Sequence, residues 1–468
     1  MRFLPRIAFV FAASLAVAPA MADKGPDTVP VPPSGVIGVS NNAMLTPDFW
    51  IKQLAQPDRV LLDSATIQAQ NARLLQVDPS MHDLKALPAT LERAKVEGWI
   101  KDLSEYPSKP LFDVNGKPVA STLRQELTDQ LALDRVPAQQ STRYGLVVQR
   151  AALRTFPTDL RVFTSTDDHD IDRFQETAEF PGTPVVVAHE SHDGQWLFVV
   201  SPRYAAWTRR ENVAEGSAAE VFGYAGRTPV RIVTGDNVAT VFTPEQPGLS
   251  QLQLDMGVAV PVLSDHPADQ PVNGQSPYAS YVIELPLQGT QGKLAFSPAL
   301  VQRVADTGDG YLPLTEANLI RQGFKFLGER YGWGHAYDGR DCSGFVSDVY
   351  RSLGVQMPRN TSKQAISPGF NHQAFGDKDS HDARLKAAMA LQVGDLVYIP
   401  GHVMMVIGKL NGAPYVIHDT GGMSYRDGKG GMRHVKLNEV SVTPLLPLMY
   451  DDKHSYVDRM TSIVRVHP

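Results

Sequence analysis

The stretch that decides the reading is Tyr331-Gly332-Trp333-Gly334-His335, followed by Arg340-Asp341-Cys342-Ser343-Gly344-Phe345-Val346-Ser347-Asp348-Val349-Tyr350-Arg351-Ser352-Leu353-Gly354. Phe345, Val346, Val349, Tyr350 and Leu353 recur at helical spacing and form one apolar stripe. Gly354 stands where a helix ends, and Pro358 follows. The helix therefore begins at Arg340 or Asp341, which puts Cys342 in its first turn. Unpaired N–H groups and the positive end of the helix dipole favour a thiolate there.

A lone cysteine is most often a small apolar residue in a core. Here its neighbours Asp341, Ser343 and Gly344 are polar or small. Cys342 is also the only cysteine in 468 residues, so an intrachain disulfide, a CxxC motif and an Fe–S cluster are all excluded. The balance favours a nucleophile.

A nucleophilic thiol needs a base. Gly394-Asp395-Leu396-Val397-Tyr398-Ile399-Pro400-Gly401 reads as a strand and turn, and His402 opens the apolar run Val403-Met404-Met405-Val406-Ile407-Gly408. Lys409 to Pro414 turns the chain, and Tyr415-Val416-Ile417-His418 is the partner strand. Such a hairpin returns His418 to the neighbourhood of His402. One imidazole takes the thiol proton and later protonates the leaving amine, while a second polar group orients it. His402 is given the first role and His418 the second. Asp419 is the alternative orienter, although strand alternation points it to the other face. A metal is the rival use of these imidazoles. His335, His372, His381 and His434 are candidate ligands, but no HExxH or other ligand spacing supports them.

Working outward, the N-terminus carries Arg2 and Arg6, an apolar stretch from Ile7 to Ala18 and an Ala20-Met21-Ala22 exit, the pattern of a secretory signal peptide. No later run approaches the about 18–20 apolar residues that span a bilayer, so a periplasmic or secreted protein is expected. The formal net charge is −6, with no dense Lys/Arg run, which argues against a nucleic-acid partner. Pro-rich residues 23–45 read as an extended tether. From Asp48 to Leu133 the pattern is helical, with Leu84, Leu87, Leu91, Val96, Trp99 and Ile100 on one face. From Thr142 to Val304 short β-branched runs alternate with turns: Gly145–Val148, Pro184–His189, Trp196–Val200, Val230–Val233 and Tyr281–Leu285. These suggest one or two small barrels. Gly 37 and Pro 35 suit such a turn-rich chain.

Tyr331-Gly332-Trp333-Gly334, Asp341-Cys342-Ser343-Gly344-Phe345-Val346, Gly394-Asp395-Leu396, Gly401-His402-Val403 and Ile417-His418 together resemble the NlpC/P60 cysteine peptidases. The resemblance covers Pro313 to Pro468 and implies a papain-like α+β domain. It carries the catalytic set onto Cys342, His402 and His418, and an oxyanion-stabilising tyrosine onto Tyr331. His335 departs from it, because many members have a second glycine there. The preceding part resembles the branch with bacterial SH3-type domains, on strand pattern, domain order and Ala152-Leu153-Arg154-Thr155-Phe156-Pro157.

The implied architecture is multidomain. It has a signal peptide (1–22), a tether (23–45), a helical N-terminal stabilising region (46–138), two small SH3-like barrels (139–222 and 223–312) and the peptidase domain (313–468). The branch cleaves the γ-D-glutamyl–diamino acid bond of peptidoglycan stem peptides and often requires a free N-terminal L-Ala. By resemblance Asp341 and Ser343 hold that amino terminus, with Tyr204 from the first barrel assisting. The implied partners are stem peptides or muropeptides, with no cofactor and no metal. Alternatives are an amidase or acyltransferase on the same fold, or an inactive wall-binding protein.

Overall fold

In the computed structural model, residues 36–467 are described. The expected leader at 1–22 and the first part of the expected tether lie outside them. No helix among the described residues is long and apolar enough to cross a membrane.

The C-terminal unit is built on one antiparallel sheet of six strands. Their order is Asn371–Ala374, Ser462–Arg465, Leu396–Ile399, His402–Leu410, Ala413–Arg426 and Met432–Pro444. The run Val403 to Ile407 is apolar throughout because both faces of its strand are covered. Val403, Met405 and Ile407 join a core with Leu319 and Ile320 of helix Glu316–Phe324 and with Phe345, Val346 and Val349 of helix Cys342–Arg351. Met404 and Val406 join a second core on the opposite face, with Ala388 of helix His381–Met389.

The residues expected to form a tether do otherwise from residue 36 on. Met44 and Trp50 are buried in the C-terminal unit's core, Trp50 packs on Tyr415 at 5.1 Å between ring centroids, and Tyr415 Oη donates to the Gly38 carbonyl at 3.0 Å. Large apolar side chains outweigh the extended bias of the prolines before them. The expected helical region does not form one body either. Helix Ser64–Val77 adds Ile67 and Leu74 to the same core. Helices Arg93–Leu103 and Leu123–Gln130 instead bury Val96, Ile100 and Leu127 against Phe156, Phe174, Phe198 and Trp207 of the following β unit.

That first β unit is an antiparallel sheet of seven strands. The expected hairpin is there: Pro184–Glu190 pairs with Trp196–Val200, and Gly194 takes the positive φ (71°) that the turn needs. The second β unit is assembled from short pairs, Val230–Val233 with Ala259–Pro261 and Asn237–Ala239 with Gln253–Asp255, and from the long hairpin Ser280–Gln288 with Leu294–Gln302. Val233, Leu254, Val260, Ile283 and Val301 form its core.

Candidate active site

Cys342 is the first residue of its helix, as the apolar stripe predicts. Asp341 caps the helix: Gly344 N–H donates to its Oδ1 at 2.8 Å. Its Oδ2 accepts from Gly334 N–H at 3.0 Å and from Arg359 Nη2 at 2.7 Å. Ser343 Oγ donates to Asp341 Oδ1 at 3.1 Å and accepts from Arg359 Nη1 at 2.7 Å. Burial opposes the charge on Asp341, but the Arg359 guanidinium and the two N–H donors outweigh it and hold the carboxyl below its ordinary value.

The loop before the helix is held in an uncommon conformation. Gly334, His335, Tyr337 and Asp338 all have left-handed φ, between 57° and 62°. A Cβ on Gly334 would lie 2.9 Å from Gln175 Cγ, so only glycine fits there. His335, in place of the second glycine, keeps the left-handed backbone and buries its ring. Its Nδ1 accepts from Arg359 Nη2 at 3.1 Å, and it packs edge-on against Phe180. Arg150 of the first β unit clamps this loop from outside, donating to the His335 and Gly339 carbonyls at 2.8 Å each.

Burial, and then the Asp341 carboxylate, push the Cys342 thiol up to about 12; the Val403 N–H and the Thr361 hydroxyl pull the other way with less effect. The thiolate expected from the helix start is thus not the resting form. The capping carboxylate offsets the helix dipole, and Cys342 as a residue is only 5% exposed. Sγ lies 3.9 Å from Thr361 Oγ1 and 4.0 Å from the carbonyl of Gly401, the residue before His402.

The two imidazoles meet as the hairpin requires: His402 Nε2 lies 2.7 Å from His418 Nδ1. His418 Nε2 lies 3.0 Å from Thr443 Oγ1, on the strand beyond. Burial lowers His402 to about 4 and His418 well below its usual range, so both rings are neutral at pH 7. With Nε2 committed to His418, Nδ1 is the remaining nitrogen of His402. Asp419, the alternative orienter, is fully buried and its carboxyl oxygens have no hydrogen-bond partner; burial holds it well above the carboxylate range.

Tyr331 is buried beside the helix start, and burial raises its phenol, which stays protonated. Tyr204 Oη donates to Glu176 Oε2 at 2.5 Å, Glu176 Oε1 accepts from Thr155 Oγ1 at 2.6 Å, and the Asn360 side chain also reaches the Tyr204 hydroxyl. A cleft runs from Tyr204 past Arg359, Asn360 and Lys363 to Trp99 and Asp102. Arg359, Glu176, Thr361 and Thr443 were not singled out from the sequence. Only Arg359-Asn360-Thr361, a polar triplet after Pro358, offered a signal. The rival metal ligands have separate partners: His381 pairs with Asp458 at 2.6 Å and His434 with Ser424 at 2.9 Å, while His335 sits in the nucleophile loop.

Comparison with known proteins places two domains in the chain. Residues 328–445 match the NlpC/P60 family, a family of cysteine peptidases, and residues 161–209 match the SH3 domain of SH3b1 type. No curated protein matches the chain. Among solved structures, an NlpC/P60 endopeptidase from Photobacterium damselae subsp. piscicida superposes with a TM-score of 0.68 at 16% identity, over 88% of this chain and 94% of that one. An NlpC/P60 family protein from Bacillus cereus ATCC 10987 gives a TM-score of 0.46 at 21% identity, over 69% of this chain and 100% of that one. The chain carries an SH3b1-type domain followed by a C-terminal NlpC/P60 domain of mixed α/β structure.

Proposed function

We propose that the chain is a cysteine endopeptidase that cleaves the γ-D-glutamyl–diamino acid bond of peptidoglycan stem peptides, acting after export and removal of the leader at 1–22. The observation that carries this is the His402–His418 pair at 2.7 Å across two neighbouring strands, with the carbonyl of Gly401, the residue before His402, 4.0 Å from Cys342 Sγ. The Sγ–H bond breaks, its proton passes to His402 Nδ1, and the sulfur keeps the electron pair that attacks the scissile carbonyl. Tyr331, held protonated, donates to the developing oxyanion. The imidazolium protonates the departing amine, and water then cleaves the thioester with His402 again as base. His418 orients the ring.

We take the two β units as SH3-like barrels, with the domain limits at 138/139, 222/223 and 312/313. A free N-terminal L-Ala is the preferred substrate end. Each Asp341 oxygen already accepts two hydrogen bonds from the chain whereas each Glu176 oxygen accepts one, so the amine falls to Glu176 beside Tyr204, with Asp341 and Ser343 framing that end through Arg359.

Mass spectrometry after incubation with defined muropeptides tests this. The free-amine tripeptide should be split at the γ-glutamyl bond, and His402→Ala should lose about 10²–10⁴-fold in rate. His418→Ala should lose less. Cleavage at the sugar–peptide link instead would make the protein an amidase.

A further inference from the structure

His402, His418 and Thr443 form one buried hydrogen-bonded chain. We infer that Thr443 is a positioning residue, which acts through His418 to permit the arrangement in which Nδ1 of His402 is free to take the thiol proton. The inference rests on the reading of His402 as the base.

Each ring, when neutral, carries one hydrogen. The 2.7 Å contact between His402 Nε2 and His418 Nδ1 holds a single proton, so only two arrangements exist. In the first, His402 Nε2–H donates to His418 Nδ1. His402 Nδ1 then has its lone pair, and the proton of His418 sits on Nε2. In the second, His418 Nδ1–H donates to His402 Nε2. The proton of His402 is then on Nδ1, which cannot accept from the thiol. Only the first arrangement can deprotonate Cys342, and it also suits the imidazolium that follows, since Nε2–H goes on donating to His418.

The first arrangement leaves an N–H on His418 Nε2, and His418 is fully buried. Such a donor requires an acceptor. Thr443 Oγ1, 3.0 Å away and itself fully buried, accepts it in this arrangement; in the second arrangement the hydroxyl would donate to Nε2, so threonine serves both where an apolar side chain serves only the second. The pairing of the two strands puts it there. Thr443 lies opposite Val416, two residues before His418 on the adjacent strand, so both side chains project from the same face of the sheet. A valine at 443 has nearly the shape of threonine but no oxygen. It would leave the N–H orphaned and favour the second, inactive arrangement.

The test combines nitrogen-15 spectra of histidine-labelled full-length protein with steady-state kinetics on a stem tripeptide. The native protein should show both His402 and His418 with hydrogen on Nε2. Thr443→Val should move both hydrogens to Nδ1 and lower kcat by about ten- to a hundred-fold with KM unchanged. Thr443→Ser should restore both readouts. Hydrogen on Nδ1 of His402 in the native protein would overturn the proposal. So would a valine variant that keeps its tautomers and kcat, or a serine variant as impaired as valine, which would mark the methyl group's packing as the cause. If the valine variant does not fold, the native spectrum and the serine variant decide. Full activity of His402→Ala would instead sink the reading of His402 as base, and the nitrogen spectrum reports the Thr443 contact independently of that outcome.

Discussion

Asp255 of the second β unit accepts a hydrogen bond from Arg340 Nη2 at 3.0 Å, and neither side chain is exposed to solvent. Arg340 stands two residues before Cys342 and also binds Asp348 at 2.8 Å and Glu329 at 2.9 Å. Arg150 of the first β unit approaches the same Asp255 oxygen at 3.4 Å. One carboxylate thus joins all three units behind the cysteine helix.

Removing Asp255 leaves two guanidinium groups short of a buried counter-charge. Asp255→Ala should cost about 3 kcal/mol, the low end for breaking a buried pair, because Arg340 keeps its other two carboxylates. Chemical denaturation would measure it. A loss below about 1 kcal/mol would mean that the junction is held by packing alone.

Cys342→Ala should abolish turnover and leave the unfolding midpoint nearly in place. The resting thiol, raised to about 12, should react with iodoacetamide at pH 7 more slowly than a free cysteine, whose pKa is about 8.5. Labelling as fast as free cysteine would show a thiolate in the unliganded protein.

His402 acts neutral, and burial lowers it to about 4. Activity should therefore persist through pH 6 and fall only as His402 gains a proton near pH 4. Stability carries the same signature. An unfolded histidine binds its proton near pH 6.5, whereas the folded one resists until about pH 4. The unfolded state therefore holds more protons between those values, and stability should decline as pH falls through that window. An acid limb centred at 6.5 would place His402 in water instead.

Glu176→Gln should lower kcat/KM for a free-amine stem peptide by about tenfold or more and leave an N-acetylated one unchanged, since only the charged pair is lost. Asp341→Asn should harm both substrates alike, because its partner is Arg359 rather than the ligand. Discrimination lost in Asp341→Asn and kept in Glu176→Gln would reverse the two roles.

What could be read in advance was periodic. The stripe Phe345 to Leu353 placed Cys342 at a helix start, and the apolar run after His402 with its turn brought His418 back alongside. Contacts between distant segments carry no such period. Arg359 meets Thr177 because the C-terminal unit packs on the first β unit, while Arg359 meets Asp341 and Glu176 meets Tyr204 across segments of one unit that no local pattern relates. The leucines between 84 and 131 announced an apolar helical face without naming its partner. The thiol differs from the local expectation for a related reason: a helix terminus is visible in the local sequence, whereas the burial and the capping charge that oppose a thiolate arise from the assembled site.

The hydrogen bond from Tyr415 to Gly38 spans 377 positions of chain, and Trp50 rests on the same tyrosine ring. Met44 and Val466 share the core beneath Cys342, which is therefore closed by segments near both ends of the described polypeptide. Contacts of such separation form late, because a very long loop must close before they yield any stabilisation. A chain cut between residue 50 and the second β unit loses this covering segment, so its C-terminal core should unfold at a lower denaturant concentration than that of the intact chain.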